Sequence, residues 1–376
     1  MHFLHFLHRR IILCLFINIK NSAIASILIY WFWRAADMKI HPWFLFICFL
    51  LVSFVLFIYI QELGSGLKHT KFFTTEGLPF LKSVGISPLD NTQEFIRSLA
   101  GTNKSLTIIT GFFDIGSFPK GYLNKIRTPK EYKNWLSVFE RLRNPVILYT
   151  DSQAFATLFR KVRNNTKHLT KTNVIERNTL WSFQIMPKIA KIYSLPGYPK
   201  HYPNTYVPAY TAVTHSKLPV TRDAIKQNFF STEYYCWLDL GYFRGVMSRN
   251  KTFWLEVPSD FDATKVGVTR VYNSKLSNIR PKTIIYGNLN WIGGGLFLGK
   301  PEVLVRFAEQ YKSAVMRYLN ESLMNVEQHI LYSMFTTEER KAHPLDVDVQ
   351  LYIPGTKKVM LGNPWVYLGY LMYDEA

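Results

Sequence analysis

Three short apolar runs, each carrying an aspartate at its end, constrain this chain more than any other feature. Ser105–Phe113 (SLTIITGFF) runs into Asp114-Ile115-Gly116, and Pro145–Thr150 (PVILYT) runs into Asp151. Tyr234–Leu240 (YYCWLDL) carries Asp239 two residues ahead of Gly241. Uninterrupted apolar runs of this length suit strands covered on both faces. Helical patterns lie between them: Tyr132–Leu142, with Trp135, Val138, Phe139 and Leu142 on one face, and Ala154–Val162. The rhythm predicts an α/β sheet with mostly parallel central strands.

Farther along, Thr283–Tyr286 and Trp291–Leu298 read as shorter strands. Pro301–Leu319 reads as a helix with an apolar stripe from Val303 to Tyr318. Ser322–Phe335 reads as another, with Ser322 placed to cap it. A stem or linker is expected over residues 61–100, where Gly64, Gly66, Gly77, Pro79, Gly85 and Pro88 interrupt any periodic pattern. The globular domain is then 101–376.

Trp43–Ile60 (WFLFICFLLVSFVLFIYI) is an uncharged run of Phe, Leu, Ile and Val. Roughly 20 helical residues cross a bilayer core of about 30 Å, so the run predicts a transmembrane helix; a buried core helix is the alternative. Met38 followed by a short basic head and this run has the layout of a signal anchor over 39–60. Residues 1–38 then read as an upstream extension. The apolar stretch Ile11–Trp33 is broken by Asn18, Lys20, Asn21 and Ser22, which makes it the weaker span. Arg34 and Lys39 before the anchor balance Lys68 and Lys71 after it, so flanking charge does not set orientation. A single anchor implies a type II protein with a luminal domain, in the Golgi or endoplasmic reticulum. Four sequons, at Asn103, Asn164, Asn250 and Asn320, are about as many as chance supplies.

The net charge is +19, and +15 of it lies beyond residue 61. Such an excess suits an anionic partner: nucleic acid, a membrane surface or a nucleotide sugar. No nucleic-acid motif or long Lys/Arg run is present, so no nucleic-acid partner is expected. Of three cysteines, Cys14 and Cys48 lie in the hydrophobic segments, leaving Cys236 without an intrachain partner.

Candidate chemistry follows from position. Ligands of open α/β sheets bind beyond the carboxyl ends of the strands. Asp239 could hold Mn²⁺ or Mg²⁺ there, beside Gly241 where backbone can approach closely; a turn-capping role is the alternative. Trp291–Gly299 (WIGGGLFLG) places Gly293, Gly294 and Gly295 inside a strand, suited to a sugar lying on exposed backbone or to a plain bulge. Glu327 falls within the apolar arc of its helix, as a general base would, or as half of a buried salt bridge would. His329 points away from that arc and reads as a surface residue. Lys217, read as lying just before a short helix, could meet a diphosphate. Asp260 and Asp262 form an Asp-x-Asp pair in a polar loop and rank below Asp239.

Together, ITGFFDIG (109–116), VILYTD (146–151), His215-Ser-Lys217, AIKQNFFSTEYYCWLDLGYFR (224–244), WIGGGLFLG and VEQHI (326–330) resemble the bacterial HtrL/YibB family over about 105–335. That family resembles nucleotide-diphospho-sugar transferases of the GT-A fold. The resemblance implies a Rossmann-type mixed sheet flanked by helices, preceded here by the transmembrane helix. It implies a glycosyltransferase taking a nucleotide-diphosphate sugar to a glycan, lipid or protein hydroxyl. Asp239 would then stand at the metal-binding motif, although the sequence reads Asp-Leu-Gly there and not Asp-x-Asp. Phe113, Asp114 and Gly116 would border the nucleotide, and Lys217 the diphosphate. Trp291 and Gly293–Gly295 would line the sugar or acceptor side, and Glu327 with Gln328 would match an acidic-Gln element. Ser117 stands where the family's first motif often continues with Arg. The alternative is a non-catalytic, membrane-anchored glycan- or phosphate-binding protein on the same fold.

Overall fold

A computed structural model describes residues 105–120, 125–355 and 363–375. The expected extension, anchor and stem, and the sequon at Asn103, lie outside the described residues. None of the described helices is long and apolar enough to cross a membrane.

The strands are β1 (Leu106–Phe112), β2 (Phe118–Lys120), β3 (Lys125–Arg127), β4 (Val146–Thr150), β5 (Thr170–Val174) and β6 (Tyr234–Leu238). They continue with β7 (Phe253–Leu255), β8 (Val266–Arg270), β9 (Ile292–Gly299), β10 (Val349–Tyr352) and β11 (Tyr373–Glu375). Seven form one sheet in the order β10-β8-β9-β6-β1-β4-β5. β9 runs antiparallel to both of its neighbours, and the other pairs are parallel. The mixed, mostly parallel α/β sheet flanked by helices is therefore as expected.

Every residue of β4 and β6 is buried. Alternation along a strand divides them between two cores. Ile109, Ile147, Tyr149, Tyr235 and Trp237 face one side. Ile108, Val146, Leu148, Cys236 and Leu238 face the other. The first face is covered by α2 (Pro208–Gln227), α3 (Pro301–Asn320) and α4 (Glu327–Met334); α1 (Gln153–Val162) lies on the second.

Five local expectations are corrected. Thr283–Tyr286 is helical, within Pro281–Gly287, because Pro281 starts a turn and left-handed Asn288 (φ 50°) ends it, overriding the β-branched run. Residues 132–142 form two short helices, Pro129–Trp135 and Ser137–Arg141, divided at Leu136. Lys217 is not ahead of a helix but inside α2, which continues through Pro219. Eleven buried residues hold that helix against the sheet and its neighbours, so packing outweighs one lost backbone donor. α4 begins at Glu327 and not Ser322: Ser322 is left-handed (φ 58°), and the Asn325 side chain accepts from the Val326 N–H at 2.8 Å. His329, expected at the surface, is fully buried, with the backbone of Asn288 and Val326 near its ring.

Arg163 at the end of α1 is also fully buried and has no carboxylate partner among the described residues. Its guanidinium donates to the carbonyls of Phe139 and Leu142 at 2.8 Å, to that of Asn144 at 3.0 Å, and to Thr170 Oγ1 at 2.7 Å. The planar fork fastens the residue 137–144 segment to the start of β5 and matches carbonyls arranged around it. Burial, with a smaller push from Arg143, lowers its pKa to about 9. Arg163→Met leaves those carbonyls without donors and is expected to cost about 3 kcal/mol or more, read from urea unfolding midpoints.

Burial also lowers the pKa values of His215 and His329 to about 3, against 6.5 ordinarily. Both are neutral in the folded chain, while the unfolded chain takes up their protons below about pH 6.5. Their contribution is thus fully present above that pH and is lost as pH falls toward 3, at about 1.4 kcal/mol per pH unit for each group. His329→Leu is expected to flatten the slope of stability against pH between 6 and 4 by about that amount, measured by urea unfolding across the range.

Candidate functional site

Successive connections leave β1 toward β4 and β5 on one side, and leave β6 toward β9 and β8 on the other. The reversal opens a crevice beyond the carboxyl ends of β1 and β6, where open sheets bind ligands. A cleft of about 520 Å³ lies there, within the range of small-molecule sites. Phe113, Trp237, Asp239, Gly241, Lys217 and Glu327 are among its lining residues.

Lys217 organises the cleft floor. Its Nζ donates to Glu327 Oε1 at 2.8 Å, to the Gly294 carbonyl at 2.8 Å, and to Asp239, with 3.0 Å to Oδ1 and 3.2 Å to Oδ2. Three acceptors occupy the three ammonium protons. Burial works against the charge, but Asp239 and Glu327 outweigh it and hold Lys217 above the usual lysine range. Trp237 Nε1 donates to Asp239 Oδ1 at 2.7 Å, and the Asp239 N–H reaches the Gly295 carbonyl at 2.9 Å. The Asp239 side chain keeps 42% of its surface exposed, against 9% for Glu327. Glu327 Oε2 is buried without a hydrogen-bond partner among the described residues.

The glycines of β9 now have a reason. A Cβ on Gly294 would lie 2.1 Å from Glu327 Oε1, and one on Gly295 2.9 Å from the Tyr242 ring. Neither position has room for a methyl group, so the glycine run admits the carboxylate and the phenol against bare strand. Beyond the glycine run, β9 pairs in register with β6 through Leu296–Gly299.

The other expected residues divide. Gln328 lines the cleft and donates to Asn290 Oδ1. Gly293 faces Val271 and the Trp365 carbonyl, beside the floor rather than in the main cleft. Trp291 does not reach the cleft: it is buried against Tyr332 and Phe335. Asp114 and Gly116 build a turn, with the Gly116 N–H on Asp114 Oδ1 at 3.0 Å and the Asp114 N–H on Asp151 Oδ1 at 2.9 Å. Arg177 closes that turn by donating to Asp151 Oδ2 at 3.0 Å and to the Asp114 carbonyl at 2.6 Å. Of the three strand-end aspartates, only Asp239 lines the cleft.

One wall escaped the sequence reading. Lys120, Arg127, Tyr132, Trp135, Tyr210 and Arg244 line it. Lys120 donates to the Tyr210 hydroxyl at 2.7 Å, and Arg244 to the Gly241 carbonyl at 2.8 Å. Arg127 and Arg244 lie 5.5 and 6.0 Å from the Trp135 ring. That ring lies on Gly241, where a Cβ would be 2.6 Å from it. Arg127 pairs with Glu131 at 2.8 Å; Lys120 and Arg244 have no carboxylate partner among the described residues. Lys120 is an exposed residue overall, but enclosure of its ammonium in the cleft opposes the charge; Tyr210, Tyr132 and Asp239 outweigh this and raise its pKa above the usual range. Burial pushes the Tyr132 phenol up to about 12, so it stays neutral. Tyr132 and Trp135 had been legible only as a helical face, whereas Arg244 follows the strand-end aspartate by five residues, a placement that could have marked it.

The donor set does not fit a resident divalent cation. Among the described residues no three His, Cys, Asp or Glu side chains converge as metal ligands. Asp239 is the more open of the two carboxylates lining the cleft, and an ammonium already sits within 3.2 Å of each of its oxygens. Glu327 gives one oxygen to that ammonium, and its other oxygen is buried.

No curated protein matches the chain. The sequence model of a family described as "Bacterial protein of unknown function (HtrL_YibB)" matches residues 104–337, which include every strand-end aspartate, Lys217, the glycine run and Glu327. The chain belongs to the HtrL/YibB family.

Proposed function

We propose that this chain is a glycosyltransferase with a GT-A-like fold, moving a sugar from a nucleotide-diphosphate donor to a hydroxyl of a glycan, lipid or protein. The observation that carries the reading is the cleft at the reversal of strand order, which joins an open carboxylate to a wall of cations and aromatic rings. Aromatic faces suit a base and sugar, and cations suit a diphosphate. The open carboxylate suits a hydroxyl whose proton must leave. Nucleic acid makes a poorer fit, because these groups line a cleft of small-molecule size.

In this reading the acceptor oxygen bonds to the anomeric carbon as the bond from that carbon to the phosphate oxygen breaks. The electron pair leaves on the diphosphate, and Asp239 takes the hydroxyl proton. Glu327, paired to Lys217 and largely enclosed, acts as a positioning residue that holds Lys217 and through it Asp239. Lys217 has no proton left for the diphosphate, so its role moves from ligand contact to alignment. The uncharged run 43–60 would anchor the enzyme in a bilayer with its domain in the lumen, where sugar donors meet glycan acceptors.

Turnover, two variants and topology test this. Screened against nucleotide sugars, the full chain is expected to transfer to or hydrolyse at least one. Asp239→Asn should lower kcat by about 100-fold or more with little change in donor KM. Lys217→Met should lower kcat similarly and also cost about 3 kcal/mol of stability, because two carboxylates lose their shared cation. No turnover with any donor, or full turnover in Asp239→Asn, counts against the reading. For topology, Asn164, Asn250 and Asn320 are exposed, so a luminal domain predicts a mass decrease on endoglycosidase treatment of the cell-made protein. An unchanged mass in a triple Asn→Gln comparison, with protease reaching the domain from the cytosol, counts against a luminal site.

A further inference from the structure

We infer that the diphosphate is held by Lys120 and Arg244, and that nucleotide binding at this cleft needs no divalent metal. The inference rests on the nucleotide-sugar reading and specifies which charges meet the leaving group.

The argument begins with what each charge in the cleft is already doing. Lys217 is divided among Asp239, Glu327 and the Gly294 carbonyl. Arg127 is held by Glu131. With their partners counted, these groups offer an incoming anion no surplus of positive charge: Lys217 sits between two carboxylates, and Arg127 beside one. A diphosphate approaching Asp239 therefore needs cations from elsewhere. The usual supplier is a metal, but here a metal would find one open carboxylate with an ammonium beside it. Like charge at that distance opposes a divalent ion.

Lys120 and Arg244 supply what is missing. They come from different elements, β2 and the turn after β6, and both line the same cleft as Asp239. A continuous aromatic wall links them: Tyr210 accepts from Lys120, Tyr132 lies near Lys120 and packs 4.8 Å from Trp135, and Arg244 lies over Trp135. Tyr210 also packs 5.1 Å from Phe118, which fixes the strand that carries Lys120. Arg244 spends one N–H on the Gly241 carbonyl and keeps the rest of its fork for a phosphate. Two protein cations on a braced wall can neutralise a leaving diphosphate without reorganisation.

The test uses the purified full chain in detergent, with UDP, GDP, ADP and CDP as probes in titration calorimetry, run in EDTA and in Mn²⁺. Pyrophosphate serves as competitor, because it carries the charge without the base. At least one nucleoside diphosphate is expected to bind in EDTA within about threefold of its affinity in Mn²⁺, and pyrophosphate should displace it. Lys120→Met and Arg244→Met, both at exposed positions, should each weaken binding by about 10-fold or more, the size of a charge-assisted hydrogen bond. Their unfolding midpoints should stay near that of the unaltered chain. Binding that vanishes in EDTA and returns with Mn²⁺ overturns the inference but leaves the nucleotide-sugar reading standing. Unchanged affinity in the double variant also overturns it. No binding under either condition overturns both.

Discussion

The ammonium of Lys217 joins three parts of the chain that lie far apart in sequence. Asp239 is 22 residues away, Gly294 is 77 and Glu327 is 110. One charge therefore ties the middle of α2 to the end of β6, the centre of β9 and the first residue of α4. Burying an ammonium is costly unless every proton is matched, and here each is. Geometry around it is correspondingly strict. Gly294 must lack a side chain for Glu327 to enter, and α4 must begin at Glu327 for the carboxylate to point inward. That start also places the carboxylate at the positive end of the α4 dipole.

Charge elsewhere in the domain falls into two kinds. Arg163 and the two buried histidines support the fold: one guanidinium bonded to carbonyls, and two imidazoles kept neutral by burial. Lys120 and Arg244 sit at the cleft beside aromatic rings and a carbonyl, and among the described residues neither is ion-paired to a carboxylate. The difference separates cations that complete the fold from cations free to meet an anion, as the proposed nucleotide site requires. It also gives part of the overall positive excess a location.

Much of the fold was legible in single residues. The runs at 105–113, 145–150 and 234–240 were uninterrupted because both faces of β1, β4 and β6 are covered, and α3 carried a clear stripe. The local misreadings shared a cause. Thr283–Tyr286 looked like a strand by composition, but Pro281 and Asn288 bound it as a helix. Lys217 was read as lying ahead of a helix, but tertiary packing carried α2 through it and through Pro219. His329 was assigned outward from one arc, while α4 is enclosed nearly all round, with seven of its eight residues buried.

The site was legible in part. Asp239, Glu327 and the glycine run each stood out through a local oddity: a carboxylate at a strand end, a charge on an apolar arc, glycines inside a strand. Lys217 was marked mainly by the family resemblance. Sequence by itself determined that these residues belong to an α/β sheet and lie where such sheets bind ligands. It singled out Asp239 for its place ahead of Gly241, but it could not say that Asp114 and Asp151 serve as structural braces in the turn joined by Arg177. Nor could it reveal that Lys217 serves two carboxylates, or that Lys120, Trp135 and Arg244 share one wall. Periodicity reports which side chains are buried. Which partners they meet depends on strand order and helix packing, contacts made across a hundred residues and decided only when the chain is folded.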